Sequence, residues 1–354
     1  MRARIVIGAN YGDEGKGTVV ANLTKKAVGN VLNVLTNGGA QRGHSILTED
    51  GSITFQHFGS GTYHGADTYY SLFFIMNPMQ FTKEYKSLIV KPGNIYRDTS
   101  CRWSTPYDTM ANLISEQQQN RHASCCMGIW NTIKRYQELP GMTFDEFMRS
   151  EDKKGYLINV RTYYERYIQI PDRLWRDIWF SPYIMDNFIE DCQFMKEHTV
   201  PCKLKTLNYE ELIFENGQGL LLTDTGNDTF DTTPSNTGIE YSLQLLKDLN
   251  TEDIEAHYVT RPYLTRHGDG TIINEATRQK VSKDVKEDRT NHYNDFQGNF
   301  RYGKLNIGEL KKRILENAGN TKFVLDVTHC DEMDRLDEFR KSFEKVNAYD
   351  NPLV

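Results

Sequence analysis

Arg4-Ile5-Val6-Ile7-Gly8-Ala9-Asn10-Tyr11-Gly12-Asp13-Glu14-Gly15-Lys16-Gly17-Thr18 is the stretch that decides the fold. The short apolar run Ile5-Val6-Ile7 predicts a buried first strand. It enters a loop in which Gly12, Gly15 and Gly17 bracket two carboxylates and one lysine, and a helix-like segment, Thr18 to Lys26, follows. Strand, glycine loop and helix together aim backbone N–H groups and a helix N-terminus at phosphate. The loop is not a Walker A sequence, because Asn10 stands where that pattern needs glycine, five residues before Gly15. Asp13 is the unusual element. A carboxylate there repels phosphate unless it holds a magnesium ion or takes a proton from a substrate. An ordinary glycine turn with solvated charges explains neither the strand before nor the helix after.

Further β-rich runs are Val31 to Leu35, Ser87 to Val90, Leu212-Ile213-Phe214, Ala256 to Val259 and Phe323-Val324-Leu325. Helix-like stretches are Asp108 to Gln119, Thr143 to Arg149, Asp172 to Asp177, Pro182 to His198, Asn236 to Leu249 and Ile307 to Ala318. Strands alternating with helices predict an α/β fold, a mainly parallel central sheet covered by helices. We expect one domain over 1–354, with a helical subdomain at about 140–200. The polar, turn-rich region 267–306 predicts functional loops.

The chain has 354 residues, with 38% hydrophobic and 25% charged residues, within the range of soluble globular proteins. Its net charge is −6 and it has no Lys/Arg run, which argues against nucleic-acid or anionic-membrane partners. No apolar run approaches the ~20 residues of a membrane span. The start on a strand pattern predicts no signal peptide and a cytoplasmic location. Six cysteines at 101, 125, 126, 192, 202 and 330 form no CxxC pair, which predicts reduced thiols rather than disulfides or a zinc site.

Five other clusters carry chemistry. Asn37-Gly38-Gly39-Ala40-Gln41-Arg42-Gly43-His44 follows the second strand and lets backbone approach a ligand while an imidazole points in. Glu215-Asn216-Gly217-Gln218-Gly219 is again a strand entering a glycine turn, and Gln218 offers a donor and an acceptor to a base edge. It is followed by the hydroxyl-rich segment Thr232 to Thr237. Arg261, Arg266 and Arg301 lie in loop-like contexts suited to bidentate capture of carboxylate or phosphate. Asp326, in Asp326-Val327-Thr328-His329-Cys330-Asp331, is placed to accept two hydrogen bonds from a guanine edge.

Gly12-Asp13-Glu14-Gly15-Lys16-Gly17, Gly43-His44, the Glu215 to Gly219 turn and Ser235-Asn236-Thr237 resemble, in order, the motifs of the adenylosuccinate synthetase family. Gln56 to Thr62, Gly65 to Tyr69, Val259-Thr260-Arg261 with Thr265 to Gly268, and Gln297-Gly298 with Arg301 to Gly303 resemble its phage branch, the 2-aminoadenylosuccinate synthetases. The family joins L-aspartate to C6 of a purine 5′-monophosphate at the expense of a nucleoside triphosphate. The resemblance implies Asp13 as base and magnesium ligand, the Gly43 carbonyl as a second ligand to Mg2+, and His44, Lys16 and Gln218 as further catalytic groups. It implies a triphosphate site at Gly12, Glu14, Gly15, Lys16, Gly17, Thr18 and Asp331. The monophosphate site would comprise Asp13, Gln41, Ser124, Cys125, Gln218, Thr233 and Arg266, with Arg135 reaching the monophosphate of a neighbouring subunit in a homodimer. Gly298, Asn299 and Arg301 would bind aspartate.

The substrate expectation is dGMP, with IMP as the alternative. ATP or dATP is expected as phosphoryl donor, and GTP is possible. The phage branch often has serine at Asp13, and the family commonly has lysine at His329 and a longer tail beyond Asp331. A phage-encoded chain would work in the cytoplasm of its infected host. A non-catalytic nucleotide-binding protein on the same fold is the alternative of another class.

Overall fold

The computed structural model describes residues 1–48, 51–119, 124–139, 141–223, 232–288, 291, 293 and 295–351. Nine strands form one wholly parallel sheet: β1 (Arg2–Gly8), β2 (Val31–Leu35), β3 (Asp67–Tyr70), β4 (Ile95–Arg97), β5 (Val200–Pro201), β6 (Glu211–Gly219), β7 (Asp253–Thr260), β8 (Lys322–Val327) and β9 (Val346–Ala348). Their order is β5-β4-β3-β2-β6-β1-β7-β8-β9. The first strand therefore lies inside the sheet, where its apolar run is covered on both faces.

Strand alternation explains the layers. Ile5 and Ile7 face a cluster with Leu212, Phe214, Leu310, Ile314 and Leu325, beneath the helix Ile307–Ala318. Val6 faces the other way, with Ile213 and Val259, onto Val19 and Val20 of helix α1 (Lys16–Lys26). Chain direction changes sides at β1: the next strand, β2, lies two places to one side, and β7 and β8 extend the other. Ligands of open parallel sheets bind at such a switch point, beyond the carboxyl ends of the strands.

Helices α2 (Pro78–Ser87), α3 (Pro106–Gln119), α4 (Ile129–Glu138), α5 (Phe144–Arg149), α6 (Lys153–Tyr164), α7 (Arg173–Trp179) and α8 (Pro182–His198) fill most of the chain between β3 and β5. Trp103, Tyr107, Phe147, Trp179 and Phe188 build the apolar cluster among them. The capping box of Thr143 and Glu146 starts α5 where the sequence places it.

Two expected elements differ. Ser87 to Val90 is not a strand: Ser87 ends α2, which starts at Pro78 after the Asn77 cap, and the strand comes later, at Ile95–Arg97. Asn236 to Leu249 shortens to a helix over Glu240–Leu246, because the Asn236 side chain is engaged by Gly238 and Glu240 as a turn. The six cysteines stand as free thiols. No helix among the described residues is long and apolar enough to cross a membrane.

Candidate active site

A cavity of about 440 Å³ lies at the carboxyl ends of β1, β6, β7 and β8, lined by residues of the loops that follow them. The loop after β1 forms one wall. Gly15 has φ 93° and starts α1 with no side-chain cap, and no acidic residue stands in the first turn. The helix N-terminus therefore keeps its affinity for an anion. The loop carbonyls are engaged elsewhere: Thr265 donates to Gly12 O, Arg261 Nε to Asp13 O at 2.7 Å, and Thr328 to Glu14 O at 2.6 Å. A Cβ on Gly17 would lie 2.6 Å from the Ser45 carbonyl oxygen, so glycine lets the loop press against the strand that carries His44.

Asp13 lines the cavity in left-handed backbone, φ 59°. That conformation is costly outside glycine and concentrates at functional sites. Gln218 (φ 59°) and His329 (φ 57°) share it and line the same cavity. Burial raises the Asp13 carboxyl above its usual range, against the charges of His267, Arg261 and Lys16. The carboxyl is thus a better base than a solvated aspartate.

His44 stands on the facing wall. Its Nδ1 is 2.6 Å from Glu215 Oε1, which also accepts from Ser60 Oγ at 2.7 Å and pairs with Arg42 at 3.1 Å. Burial, reinforced by Arg42, pushes His44 down to about 4 despite Glu215. Burial alone would raise Glu215, but Arg42, His44 and Ser60 hold it at about 2.

Gln41 and Gln218 meet at Gly38, where an added Cβ would lie 3.1 Å from Gln41 Nε2 and 3.4 Å from Gln218 Oε1. Both Oε1 atoms are buried without a partner. Buried acceptors left open are expensive in a native protein, and here they face a cavity where a ligand can supply donors. Gly12, Gly15, Lys16, Gly43, Ser124, Cys125, Thr233 and Arg266 also line this cavity. Burial pushes the Cys125 thiol up to about 11, so it stays protonated.

Other expected site residues lie outside the lining. Glu14 is buried beneath the loop, accepting from the amides of Asn10 and Gly12 and pairing with Lys16. Thr18 sits within α1. Asp331 pairs with Lys286 and accepts from the Asn351 amide. Gly298 and Asn299 precede the strand Phe300–Gly303. Arg301 pairs with Glu275 and donates to the carbonyls of Gly268 and Gly270. Arg135, expected to reach the monophosphate of a neighbouring subunit, is fully buried within this chain, with its donors engaged by both Asp108 oxygens, Tyr156 and Trp103 O. Asp326 likewise meets no base edge, since it is buried against His257, Asn347 and Tyr349.

Arg261, expected to capture an anion, lines the cavity but bonds Asp13 O, Tyr263 and Asp288, while Arg42, His267 and His329 line it without an expected role. Each stands in a quoted cluster, but residue type alone did not separate them from their neighbours. Among the described residues no three His, Cys, Asp or Glu side chains gather as a metal site. Mg2+ needs less, since it keeps several waters and uses one or two carboxylates plus phosphate oxygens. Asp13 and Gly43 both line the cavity, so one carboxylate and one backbone carbonyl stand at its wall.

Residues 5–343 match the family model for adenylosuccinate synthetase. The chain belongs to the adenylosuccinate synthetase family. It is 24% identical to the adenylosuccinate synthetase of Microcystis aeruginosa over 77% of this chain, and spans 62% of that protein's length. A second, from Prochlorococcus marinus NATL1A, is 25% identical over 94% of this chain and 77% of its own length. Two solved structures share the fold. The fully ligated adenylosuccinate synthetase of Plasmodium falciparum superposes with TM-score 0.69 at 17% identity, over 95% of this chain and 78% of that one. The succinoaminodeoxyadenylate synthetase of cyanophage S-2L, solved with dGMP and dATP as energy donor, does so with TM-score 0.65 at 12% identity, over 99% and 91%.

Proposed function

We propose that this synthetase-family chain joins L-aspartate to C6 of a purine 5′-monophosphate, with dGMP as substrate and ATP or dATP as phosphoryl donor. The observation that carries the ligase reading is Asp13, a buried carboxyl of raised basicity held in strained backbone inside a phosphate-binding loop. Asp13 takes the N1 proton of the purine. The O6 so activated attacks the γ-phosphorus and the nucleoside diphosphate leaves. The aspartate amine then attacks C6 and the O6-phosphate departs. Gly15, Lys16 and Gly17 receive the triphosphate at the α1 N-terminus, where positioning and charge neutralisation supply most of the rate. When bound, Mg2+ neutralises phosphate charge, held by Asp13 and the Gly43 carbonyl. Ser124, Cys125, Thr233 and Arg266 hold the monophosphate. Arg301 gives up Glu275 for a carboxylate of aspartate.

The open acceptors of Gln41 and Gln218 favour dGMP. Guanine carries a 2-amino group with two N–H donors, which hypoxanthine lacks. A site that leaves a polar group unpaired discriminates by orders of magnitude in kcat/KM. The similarity in fold to the cyanophage enzyme supports the same reading; the curated relatives, ordinary synthetases, favour IMP. A homodimer in the cytoplasm is part of the proposal.

The test is phosphate release with aspartate and Mg2+, pairing dGMP or IMP with ATP, dATP or GTP. Product mass should rise by aspartate less water, with dGMP preferred. Turnover of IMP with none of dGMP returns the chain to adenylosuccinate synthesis. No release with any pairing leaves a non-catalytic nucleotide-binding protein.

A further inference from the structure

We propose that Arg261 is a positioning residue for Asp13, and that its own place is set from beyond β9 through Tyr263, Glu332 and Asn351. The proposal deepens the ligase reading and rests on it for its kinetic part alone. Asp13 stands in left-handed backbone, a costly conformation that persists only where its surroundings over-determine it. Three successive loop carbonyls are held by residues that follow β7 and β8. Thr265 Oγ1 donates to Gly12 O at 3.3 Å, Arg261 Nε to Asp13 O at 2.7 Å and Thr328 Oγ1 to Glu14 O at 2.6 Å. Arg261 alone among the three donors is charged, so its bond is the strong one.

Arg261 is buried, and each of its nitrogens bonds within the protein. Besides Nε on Asp13, Nη1 donates to Tyr263 Oη at 3.3 Å and Nη2 to Asp288 Oδ2 at 2.8 Å. Three bonds in the plane of a rigid guanidinium make a strut rather than an open anion clamp. The buried Tyr263 hydroxyl donates in turn to Glu332 Oε2, and Glu332 Oε1 accepts from the Asn351 side-chain amide. The Asn351 backbone amide donates to Asp331 Oδ1 at 2.6 Å. Tyr349, two residues earlier, donates its amide to Val327 O at 2.8 Å and accepts from the Cys330 amide at 3.0 Å. The segment after β9 is thus sewn to the end of β8 and the loop beyond it, and the stitch continues through side chains to the Asp13 carbonyl. A buried polar chain whose members satisfy one another fixes one geometry. A base needs that, since a misplacement of about 1 Å costs about 10²-fold in rate.

The experiment reads the loop first. In ligand-free protein, deuterium exchange over residues 9–17 reports opening of the loop, where the Asn10 and Gly12 amides donate to Glu14. Tyr263→Phe and Asn351→Ala should each speed exchange there at least about 3-fold, and Arg261→Met at least about 10-fold, with β1, β6 and α8 unchanged. On the substrates that the wild type turns over, kcat should fall in the same order, by at least about 10-fold for Arg261→Met. The KM values for monophosphate and aspartate should stay within about twofold, because Arg261 spends its donors inside the protein. Arg261→Lys, which keeps a cation beside Asp13 O, should recover part of kcat. If Arg261→Met does not fold, Tyr263→Phe decides, since it removes one hydroxyl and keeps the ring. Wild-type exchange over 9–17 in the folded variants overturns the proposal. So does exchange that rises equally across the sheet, which would make the chain of bonds general scaffolding. A KM increase of 10-fold or more with unchanged exchange would make Arg261 a ligand-binding arginine and also overturns it. Wild-type protein with no ligase activity would instead overturn the ligase reading, and exchange would still decide the strut.

Discussion

Glu14 Oε2 lies 3.1 Å from Lys16 Nζ beneath the phosphate loop, with both side chains almost wholly buried. The other oxygen, Oε1, accepts from the amides of Asn10 at 2.9 Å and Gly12 at 2.8 Å. Of the two adjacent carboxylates, Glu14 braces the loop and Asp13 faces the cavity.

The brace has a thermodynamic consequence. Glu14→Ala strands a buried ammonium and should cost about 3–5 kcal/mol. Glu14→Ala with Lys16→Met should be less destabilised than Glu14→Ala alone. Urea unfolding of the three variants checks this. Equal losses in the single and double variants would mean that the amide contacts, not the ion pair, matter.

Asp13→Ala should abolish ligation while the protein stays folded. Removing a general base costs about 10²–10⁴-fold, and the loop carbonyl that Arg261 holds survives the substitution. Steady-state kinetics with an unchanged circular-dichroism melt is the check. Activity within a few-fold of wild type would reject Asp13 as the base.

Stability should fall with alkali because of His257. Buried between β1 and β8, it sits 2.8 Å from Asp326 and 3.5 Å from Glu255, on the same strand, β7. Burial would lower it, but the two carboxylates raise it to about 9 from 6.5. A raised pKa means that the folded state binds the proton more tightly. The stabilisation is full below about pH 6.5 and is lost as pH rises through 9, on the order of 3 kcal/mol in all. Melting temperature measured from pH 6 to 10 should show this decline, and His257→Gln should flatten it. An equal decline in the variant would assign it to other groups.

Arg135 and Asp108 make a fully buried pair at 2.8 Å between α4 and α3. Arg135→Met should destabilise the fold by about 3–5 kcal/mol and leave the monophosphate KM of the folded fraction unchanged. A KM rise without loss of stability would restore Arg135 to a phosphate site.

Elements announced by their own ends were legible. Val31 to Leu35 is an apolar run interrupted only by Asn33, Pro182 sets the first turn of α8, and the Asn306 cap opens the helix Ile307–Ala318. Ser87 to Val90 misled because Leu88 followed by the β-branched Ile89 and Val90 suits a strand until the preceding helix is known to end at Ser87. The glycine loop, His44 and Gln218, singled out by residue type and spacing, line one cavity. Arg42 was not singled out, because it differs from a surface arginine only in what surrounds it.

By itself, the sequence determined the parallel α/β plan, the glycine loop after the first strand and the order of the glycine turns that line the cavity. These follow from apolar periodicity and glycine placement, which act over a few residues. Tertiary structure alone decided that Glu14 is buried beneath the loop while Asp13 lines the cavity, that Arg135 and Asp326 are internal, and that Glu215 meets His44 from 171 positions away. Those outcomes depend on which distant strand supplies the neighbouring charge and excludes water, and no local pattern encodes that.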